Sequence, residues 1–312
     1  MKILITGGAG YIGTTLIPML LSAGHEVTVF DNLSFGGEVL IPFLQNRQFK
    51  FIKGDVRHFE SLQKAVQKQN VVIHLAALAG YKICDLDKEA AYTINVVGTQ
   101  NLINCLTKEQ TLIYSSTGCN YGNINIDTVT EKTPLNPTSL YGETKTEAER
   151  LCMTRPNSLS FRFATAFGCS PRLRLDLLVN DMTYLGATQG FLVIYQSEFI
   201  RSFIHVQDMA KSIILAINNL DKMIDNVYNV GSESMAYCKR DLAELISKYT
   251  NCVVHYNDFD YDRDHRNYNV SYEKIKKLGY ETTIDLEEGI KELLNAYKLL
   301  NLQSRKFYNI GE

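Results

Sequence analysis

The feature that most constrains this chain is a set of three glycines that follows its first apolar segment. Residues 2–6 form a short apolar run, as expected of a buried strand, and Gly7, Gly10 and Gly13 come next with G-x-x-G-x-x-G spacing. The residues after Gly13 are typical of a helix. Glycines in such a strand-to-helix turn let backbone N–H groups approach a pyrophosphate at the helix N-terminus. The stretch therefore predicts a dinucleotide-binding turn.

The next strand supports the same interpretation. Residues 26–30, EVTVF, are typical of a strand that ends at Asp31, eighteen positions after Gly13. Strand, glycines, helix, strand and acid thus occur in the order of a β-α-β dinucleotide site. A carboxylate at this offset accepts a hydrogen bond from the adenosine ribose 2′-OH and repels a 2′-phosphate. We therefore expect NAD rather than NADP as the cofactor.

Composition excludes several classes of partner. The chain has 312 residues, 45% of them hydrophobic and 21% charged, which suggests one large α/β domain or two intimate ones. A net charge of −2 gives no indication of a nucleic-acid or membrane partner. The seven cysteines are far apart and form no C-x-x-C pair, so we expect a reducing compartment, the cytoplasm, and no metal site.

The alternation of strands and helices predicts the fold class. Strand-like and helical runs alternate, which indicates right-handed crossovers and a parallel sheet. We predict an α/β fold with a Rossmann-type doubly wound parallel sheet and a smaller, interleaved C-terminal α/β lobe. The NAD-binding domain is expected over 1–168, with 200–220 returning to it. The substrate-binding lobe is expected over 169–199 and 221–312.

Beyond Gly168 the pattern becomes less regular. Residues 169–185, CSPRLRLDLLVNDMTYL, are predicted to hold an apolar helix with basic residues at its start. Residues 227–256 are expected to form a small β-α-β group within the second lobe.

Two further strand ends are expected at the cofactor edge of the sheet. Residues 70–77, NVVIHLAA, are expected to be a strand covered on both faces, and the small Ala76 and Ala77 leave room for a cofactor above its end. His74 is expected to be buried and hydrogen-bonded rather than catalytic. Asp55 follows the third strand, where it can face the adenine amino group or serve as the N-cap of the next helix.

Tyr141 and Lys145 form the pair that points most directly to chemistry. They lie at i and i+4 of one predicted helix, so both side chains emerge on one face. A lysine ammonium beside a phenol favours the phenolate, so we expect Lys145 to lower the pKa of Tyr141. Such a tyrosine can take a proton from an alcohol while hydride leaves the same carbon for NAD. Ser115, Ser116 and Thr117 end the preceding strand, and a hydroxyl there can relay the proton or simply cap the strand.

Together these motifs resemble the extended short-chain dehydrogenase/reductase family, and within it the nucleotide-sugar epimerases and dehydratases. The matching motifs are TGGAGYIG, the Asp31-Asn32 pair, HLAA, Asn95 in NVVGT, SSTGCNYG, YGETK and RSFIHVQD. The resemblance implies NAD as a tightly held cofactor, a nucleoside diphosphate sugar as substrate and hydride removal from a sugar carbon, usually C4. It also implies a homodimer that pairs through the helices near 88–107 and 140–153.

The resemblance implies roles for individual residues. Tyr141 corresponds to the catalytic base, Lys145 to the lysine that holds the ribose, and Thr117 to the catalytic serine or threonine. Arg201 corresponds to an arginine that contacts the substrate diphosphate, and Asn180 is a looser match for a diphosphate or base contact. The expected cofactor-binding residues are Gly7, Gly10, Tyr11, Ile12, Gly13, Asp31, Asn32, Asp55, Val56, Leu75, Ala76, Ala77, Asn95, Tyr141 and Lys145. The expected substrate-binding residues are Thr117, Asn180, Arg201 and Arg266, with Arg263 as the alternative to Arg266.

Departures from the family pattern bear on the reaction. The 4,6-dehydratases carry Asp-Glu directly after the catalytic threonine, where this chain has Gly118 and Cys119. Without those carboxylates the elimination of water lacks its acid. The UDP-galactose-type 4-epimerases often place a lysine after H-F-A-G-L and an asparagine after R-Y-F, where this chain has Ala79 and Thr165.

These departures leave two main hypotheses, both with oxidation at C4 of the sugar. One is a nucleotide-sugar 4-epimerase. The other is a net 4-dehydrogenase, because RFATAFGCSPRLRLDLLVND resembles the GDP-heptose 4-dehydrogenases of capsule synthesis, which release the keto sugar. A 4,6-dehydratase and a non-catalytic NAD sensor are the weaker hypotheses.

Overall fold

The computed structural model describes residues 1–257, 268–300 and 307–309. The strands are β1 (Lys2–Thr6), β2 (Glu26–Asp31), β3 (Phe49–Lys53), β4 (Val71–His74), β5 (Thr111–Thr117), β6 (Thr128–Val129), β7 (Ser158–Phe163), β8 (Thr165–Phe167), β9 (Phe191–Tyr195), β10 (Ile200–His205), β11 (Asn226–Val230), β12 (Ala236–Cys238), β13 (Val253–Asn257) and β14 (Asn269–Val270).

The helices connect these strands on both sides of the sheet. They are α1 (Tyr11–Ser22), α2 (Phe59–Val66), α3 (Tyr81–Leu86), α4 (Lys88–Tyr92), α5 (Gly98–Cys105), α6 (Leu140–Cys152), α7 (Leu178–Gln189), α8 (Val206–Asn218), α9 (Leu220–Met223), α10 (Lys239–Thr250), α11 (Glu273–Lys276) and α12 (Leu286–Leu299). Short 3-10 helices span Glu38–Phe43, Gly118–Tyr121 and Glu233–Met235, and a π-helical turn spans Thr93–Val97. Within the described ranges, no helix is both long and apolar enough to cross a membrane.

Seven parallel strands form the central sheet in the order β11-β7-β5-β4-β1-β2-β3. From β1 the chain first builds outward to β3 and then returns to build β4, β5, β7 and β11 on the other side. The predicted α/β fold with a doubly wound parallel sheet is therefore confirmed. Because the strand order reverses between β1 and β4, a crevice is expected at their carboxyl ends.

Alternate residues of the central strands pack on opposite faces of the sheet. In β1, Ile3 and Ile5 belong to the core that includes α1 and α8, whereas Leu4 belongs to the core that includes α2, α5 and α6. Both faces are covered, which explains why these strands are apolar along their whole length.

A second hydrophobic core lies in the C-terminal part of the chain. Buried side chains of α7, α10 and α12 pack there with β9 and with Phe203 of β10. Strand β10 also pairs with β8 and β12 in a three-stranded sheet. The helix α8 that follows β10 packs against α1, so the chain returns to the first core at that point. The division into two domains at the predicted boundaries stays a prediction.

Two local predictions are wrong. Residues 227–256 do not form a β-α-β group, because β11 is the edge strand of the central sheet beside β7, whereas β13 pairs with β9. The predicted helix with a basic start begins only at Leu178, so Arg172 and Arg174 lie in the loop that precedes it. In both cases the local pattern identified an element but not where it begins or which neighbour it meets.

Candidate active site

A cleft lies at the carboxyl ends of the central strands. Its volume is about 440 Å³, which is within the usual range of small-molecule sites. The residues lining it come from the ends of β1, β2, β4 and β5, from the start of α6 and from the loop before α7. This is the crevice in which doubly wound sheets bind ligands.

Close backbone contacts shape the glycine turn beside this cleft. Gly7 has a φ of +72°, and a Cβ there would lie 2.6 Å from the backbone nitrogen of Ala76. A Cβ on Gly13 would lie 2.4 Å from the carbonyl oxygen of Gly8. At Gly10, just before α1, a Cβ would approach the Gly7 carbonyl oxygen at 3.1 Å and otherwise enter the cleft. Gly10 thus leaves the backbone open to the cleft at a helix N-terminus, the kind of position at which a pyrophosphate binds.

Asp31 lies at the end of β2 and is tied to the glycine turn. Its Oδ2 accepts a hydrogen bond from the backbone N–H of Ala9 at 2.9 Å, and its Oδ1 accepts one from Leu33 at 2.8 Å. Burial raises the pKa of the Asp31 carboxyl, and these two bonds partly offset that rise. Each oxygen keeps a further acceptor position, as the predicted contact with a ribose hydroxyl requires.

Asp55 and Asn32 lie next to each other along the cleft. The side-chain amide of Asn32 donates to Asp55 at 3.1 Å, and Arg57 forms a 2.7 Å ion pair with the same carboxylate. The hydrogen bonds from Arg57 hold the pKa of Asp55 well below its usual range. Asp55 is not the N-cap of α2, since that position belongs to His58. Of the two roles that the sequence left open, the N-cap role is therefore wrong.

Most of the other predicted cofactor residues also line the cleft. They are Gly7, Gly10, Tyr11, Ile12, Val56, Leu75, Ala76 and Ala77. Gly13 instead packs one turn into α1 against the glycine loop. Its predicted importance is thus explained by packing between helix and turn rather than by a surface offered to a ligand.

Asn95 lies in the π-helical turn, and its predicted contact with the cofactor stays a prediction. Its side chain accepts from the backbone N–H of Leu78 at 2.8 Å and donates to the Leu78 carbonyl at 3.1 Å and to Thr144 at 3.1 Å. These bonds use both N–H donors of the amide, and Asn95 is not among the residues lining the cleft. Asn95 therefore positions the loop after β4 and links it to α6.

His74 is buried and hydrogen-bonded, as expected. Its Nδ1 lies 2.6 Å from the Thr6 hydroxyl and its Nε2 lies 3.0 Å from the Thr99 hydroxyl. Burial lowers the pKa of His74 to about 3, so the ring is neutral. It is a core residue that joins β1, β4 and α5.

Thr117, Tyr141 and Lys145 come together on one side of the cleft. Thr117 is the last residue of β5, and Tyr141 and Lys145 share a face of α6. The start of α6 is fixed by Ser139, whose hydroxyl accepts from the backbone N–H of Gly142 at 3.2 Å. The Thr117 hydroxyl accepts a hydrogen bond from the backbone N–H of Cys119 at 3.1 Å and lines the same cleft as the Tyr141 phenol. A phenol, a hydroxyl and an ammonium thus share one wall of the cleft.

The electrostatics of Tyr141 differ from the expectation. Burial is the dominant effect and raises the pKa of Tyr141, whereas the Arg174 charge and the polar Thr117 side chain lower it by less. Burial also lowers the pKa of Lys145 to about 8. The prediction that Lys145 makes the phenol acidic is therefore wrong for the protein alone, because desolvation of the phenolate outweighs the nearby charges.

The predicted substrate residues have different positions. Arg201 is 5% exposed and lines the cleft. The Asn180 amide is bonded to both backbone groups of Gly168 and to the carbonyl of Arg174, so it fixes the loop before α7. Its predicted contact with the substrate stays a prediction. Arg263 and Arg266 lie outside the described residues.

The motif analysis did not assign Arg172, Arg174 and Asp176, which also line the cleft. Arg174 forms a 2.5 Å ion pair with Asp176 and donates to the carbonyl of Ala79 at 3.1 Å, so it bridges the loops before α7 and before α3. The available signal was the run Arg-x-Arg-x-Asp within residues 169–185. The sequence prediction places this Arg-x-Arg-x-Asp run at the start of a helix and therefore does not identify it as part of the site.

Comparison with known proteins shows the family of this chain. The NAD dependent epimerase/dehydratase family matches residues 3–231. A putative UDP-glucose 4-epimerase of Methanocaldococcus jannaschii is 27% identical over 309 residues, covering 95% of this chain and 98% of that protein. The dTDP-D-glucose 4,6-dehydratase of Mus musculus is 26% identical over 319 residues, covering 95% and 88%.

Solved structures give the same result. A UDP-glucuronic acid 4-epimerase from Bacillus cereus, in complex with UDP-glucuronic acid and NAD, superposes with a TM-score of 0.86. It is 26% identical and covers 96% of this chain and 100% of its own. The glycine turn, Asp31 and the Thr117–Tyr141–Lys145 wall thus define a dinucleotide-dependent enzyme of the short-chain dehydrogenase/reductase type. The chain belongs to the NAD dependent epimerase/dehydratase family, and NAD is its cofactor.

Proposed function

We propose that this enzyme oxidises the C4 hydroxyl of a nucleoside diphosphate sugar and returns the hydride to the other face, as a nucleotide-sugar 4-epimerase. The observation that carries the proposal is the meeting of Thr117, Tyr141 and Lys145 with the glycine turn in one cleft. The 27% identity to a putative UDP-glucose 4-epimerase supports the same class of reaction.

Each residue of the cleft has a separate role in the proposed reaction. NAD, when bound, supplies the hydride acceptor. Tyr141, as the phenolate, takes the proton of the C4 hydroxyl, and the Thr117 hydroxyl donates a hydrogen bond to the sugar oxygen. Lys145, which is 3% exposed, holds the ribose and contributes positive charge to the cleft. Arg201 binds the substrate diphosphate by charge-assisted hydrogen bonds.

The residues after Thr117 argue against water elimination. Gly118 and Cys119 begin a 3-10 helix there, and Cys119 lines the cleft. Neither residue supplies the carboxylic acid that would protonate a leaving hydroxyl at C6. A 4,6-dehydratase is thus disfavoured, although dehydratases are among the relatives.

Product analysis tests the proposal. The purified enzyme is incubated separately with UDP-glucose, UDP-glucuronic acid, dTDP-glucose and a GDP-linked heptose, and the products are identified by NMR. A C4 epimer formed without net NADH supports the epimerase. A released 4-keto sugar with one NADH per turnover supports the net dehydrogenase instead. A 4-keto-6-deoxy sugar contradicts both and supports a 4,6-dehydratase. The absence of any C4 epimer or 4-keto product from all four nucleotide sugars contradicts oxidation at C4 as proposed.

We also propose that the enzyme is a homodimer that pairs through the helices near 88–107 and 140–153. Tyr92 and Val97, on the first of these segments, are 47% and 38% exposed in the single chain. Two helices from each subunit would bury them in an isologous interface. Light scattering that shows a monomer at micromolar concentration would contradict this pairing.

A further inference from the structure

We propose that Arg172, in the loop before α7, binds the diphosphate of NAD at the glycine turn. This inference rests on NAD being the cofactor and is independent of which sugar reaction the enzyme performs. It assigns a ligand contact to a residue of the loop between β8 and α7.

The loop that contains Arg172 is hydrogen-bonded directly to the N-terminus of α1. The Ser170 hydroxyl donates to the carbonyl of Tyr11 at 2.7 Å and lies 2.9 Å from the Thr14 hydroxyl. The Tyr11 phenol in turn donates to the carbonyl of Gly168 at 2.8 Å. Arg172 is two residues beyond Ser170, so its position is fixed relative to the helix end at which a dinucleotide places its pyrophosphate.

The guanidinium of Arg172 lies against the loop that follows Asp31. Its central carbon is 4.6 Å from the centre of the Phe35 ring. One nitrogen donates to the carbonyl of Leu173 at 3.1 Å, and another donates to Asn309 at 2.8 Å. Arg172 is 4% exposed and lines the cleft, and its Nε has no acceptor among the described residues. A buried donor of this kind costs free energy until an acceptor reaches it.

The local charges also favour the binding of an anion. Asp176 is paired with Arg174 at 2.5 Å, and within the described ranges no carboxylate forms an ion pair with Arg172. Burial, together with the charge of Arg174, lowers the pKa of Arg172 to about 10, and the group stays cationic at neutral pH. Two guanidiniums therefore share one carboxylate. A diphosphate offers the planar fork of an arginine two oxygens and offsets the excess charge.

The diphosphate of the nucleotide sugar is the other possible ligand of the same chemistry. The contacts of Ser170 with Tyr11 and Thr14 favour the cofactor, because they place this loop at the glycine turn. Binding measurements separate the two sources. The cofactor probes are NAD and adenosine, which lacks phosphate, and the substrate-side probes are UDP and GDP.

The test uses Arg172→Gln and Arg172→Lys in the full-length enzyme after removal of NAD, with dissociation constants measured by calorimetry. We expect Arg172→Gln to weaken NAD binding by roughly 10- to 100-fold, the usual effect of losing a charge-assisted hydrogen bond. Arg172→Lys keeps the charge but not the fork, so we expect about a 5-fold loss. The affinity for adenosine, UDP and GDP should not change.

A matched control is Arg240→Gln. Arg240 also lies over an aromatic ring, 4.4 Å from the centre of Tyr256, and pairs with Glu198, but it does not line the cleft. Its replacement should leave NAD affinity unchanged. The proposal is overturned if either folded Arg172 variant binds NAD within about twofold of the wild type, or if UDP or GDP affinity falls while NAD affinity is kept. Should Arg172→Gln fail to fold, Arg172→Lys alone decides by the same criterion.

Discussion

The ammonium nitrogen of Lys145 lies 4.2 Å from the centre of the Tyr114 ring. Both residues are buried, Lys145 at 3% and Tyr114 at 1% exposure. The ring face partly replaces the water that the ammonium has lost, as in other cation–π contacts. Lys145 is therefore a buried charge that packs against β5. Burying this charge lowers the free energy of unfolding, and the site keeps it nevertheless.

That cost leads to a prediction for Lys145→Met. The folded pKa of Lys145 is about 8, below the ordinary value of 10.5, so the unfolded chain binds more protons between these values. The penalty for burying the charge is complete below pH 8 and fades as the pH rises toward 10.5. We expect the variant to raise the free energy of unfolding near pH 7 by roughly 1–3 kcal/mol and to abolish turnover.

Urea unfolding of the NAD-free enzyme at several pH values measures this effect. Lys248→Met is the control, because Lys248 also lies near a tyrosine ring, that of Tyr249, but its side chain is 64% exposed. It should change stability by less than about 0.5 kcal/mol. A Lys145→Met variant that is less stable than the wild type at pH 7 would show that the ammonium is net favourable.

Two glycines of the turn should have different roles, Gly7 in folding and Gly10 in NAD binding. A Cβ on Gly7 would meet the backbone of Ala76 and requires a positive φ, so Gly7→Ala should destabilise the fold. Gly10 has a φ of −83°, and its Cβ would enter the cleft. Gly10→Ala should therefore fold but bind NAD about 10- to 100-fold more weakly, since the methyl group occupies the pyrophosphate position. Thermal unfolding and NAD titration of both variants check this; equal NAD affinity in Gly10→Ala and the wild type would contradict it.

Asp31 should set the preference for NAD over NADP. Asp31→Asn removes the charge that repels a 2′-phosphate but keeps the size of the side chain. We expect the ratio of the NADP to the NAD dissociation constant to fall at least about tenfold. Asp55→Asn, at a carboxylate already paired with Arg57, should change both constants together. If Asp31→Asn leaves the ratio unchanged, the ribose contact is wrongly assigned.

The pKa of Tyr141 should respond to the charge of the cofactor. Burial raises it in the protein alone, so a positive nicotinamide ring beside the phenol should lower it. NADH, whose ring is neutral, is the matched control. The phenolate absorbance of the wild type minus that of Tyr141→Phe gives the titration of this one side chain. An identical pKa with NAD, with NADH and with neither would exclude an electrostatic role for the ring.

Much of this fold follows from local pattern, and the reasons are physical. The apolar runs of β1, β4 and β5 are buried on both faces, and the positive φ of Gly7 demands glycine, so both are visible in the residues themselves. The position of β11 is not visible in this way, because two asparagines interrupt its five residues and nothing in them indicates which neighbour the strand meets. It pairs with β7 at one end of the central sheet.

The site was predictable to the extent that it depends on spacing. Tyr141 and Lys145 share a face because they are one helical turn apart. The burial of the phenol, by contrast, depends on loops far away in sequence, and it reverses the expected shift of its pKa. Asn95 and Asn180 show the same limit, since their amides are used by backbone groups that only the folded chain brings near. Arg172 is a further example, because its place near the glycine turn follows from the contact of Ser170 with α1.

The central claim is that Tyr141 is the base that accepts the C4 hydroxyl proton beside NAD. The most direct test is the rate at which bound NAD is reduced in a single turnover by whichever of the four nucleotide sugars the wild type oxidises, compared with Tyr141→Phe. We predict that the variant binds NAD with unchanged affinity and that its rate falls by about 10²- to 10⁴-fold. A Tyr141→Phe enzyme that reduces NAD within about threefold of the wild-type rate would contradict the account.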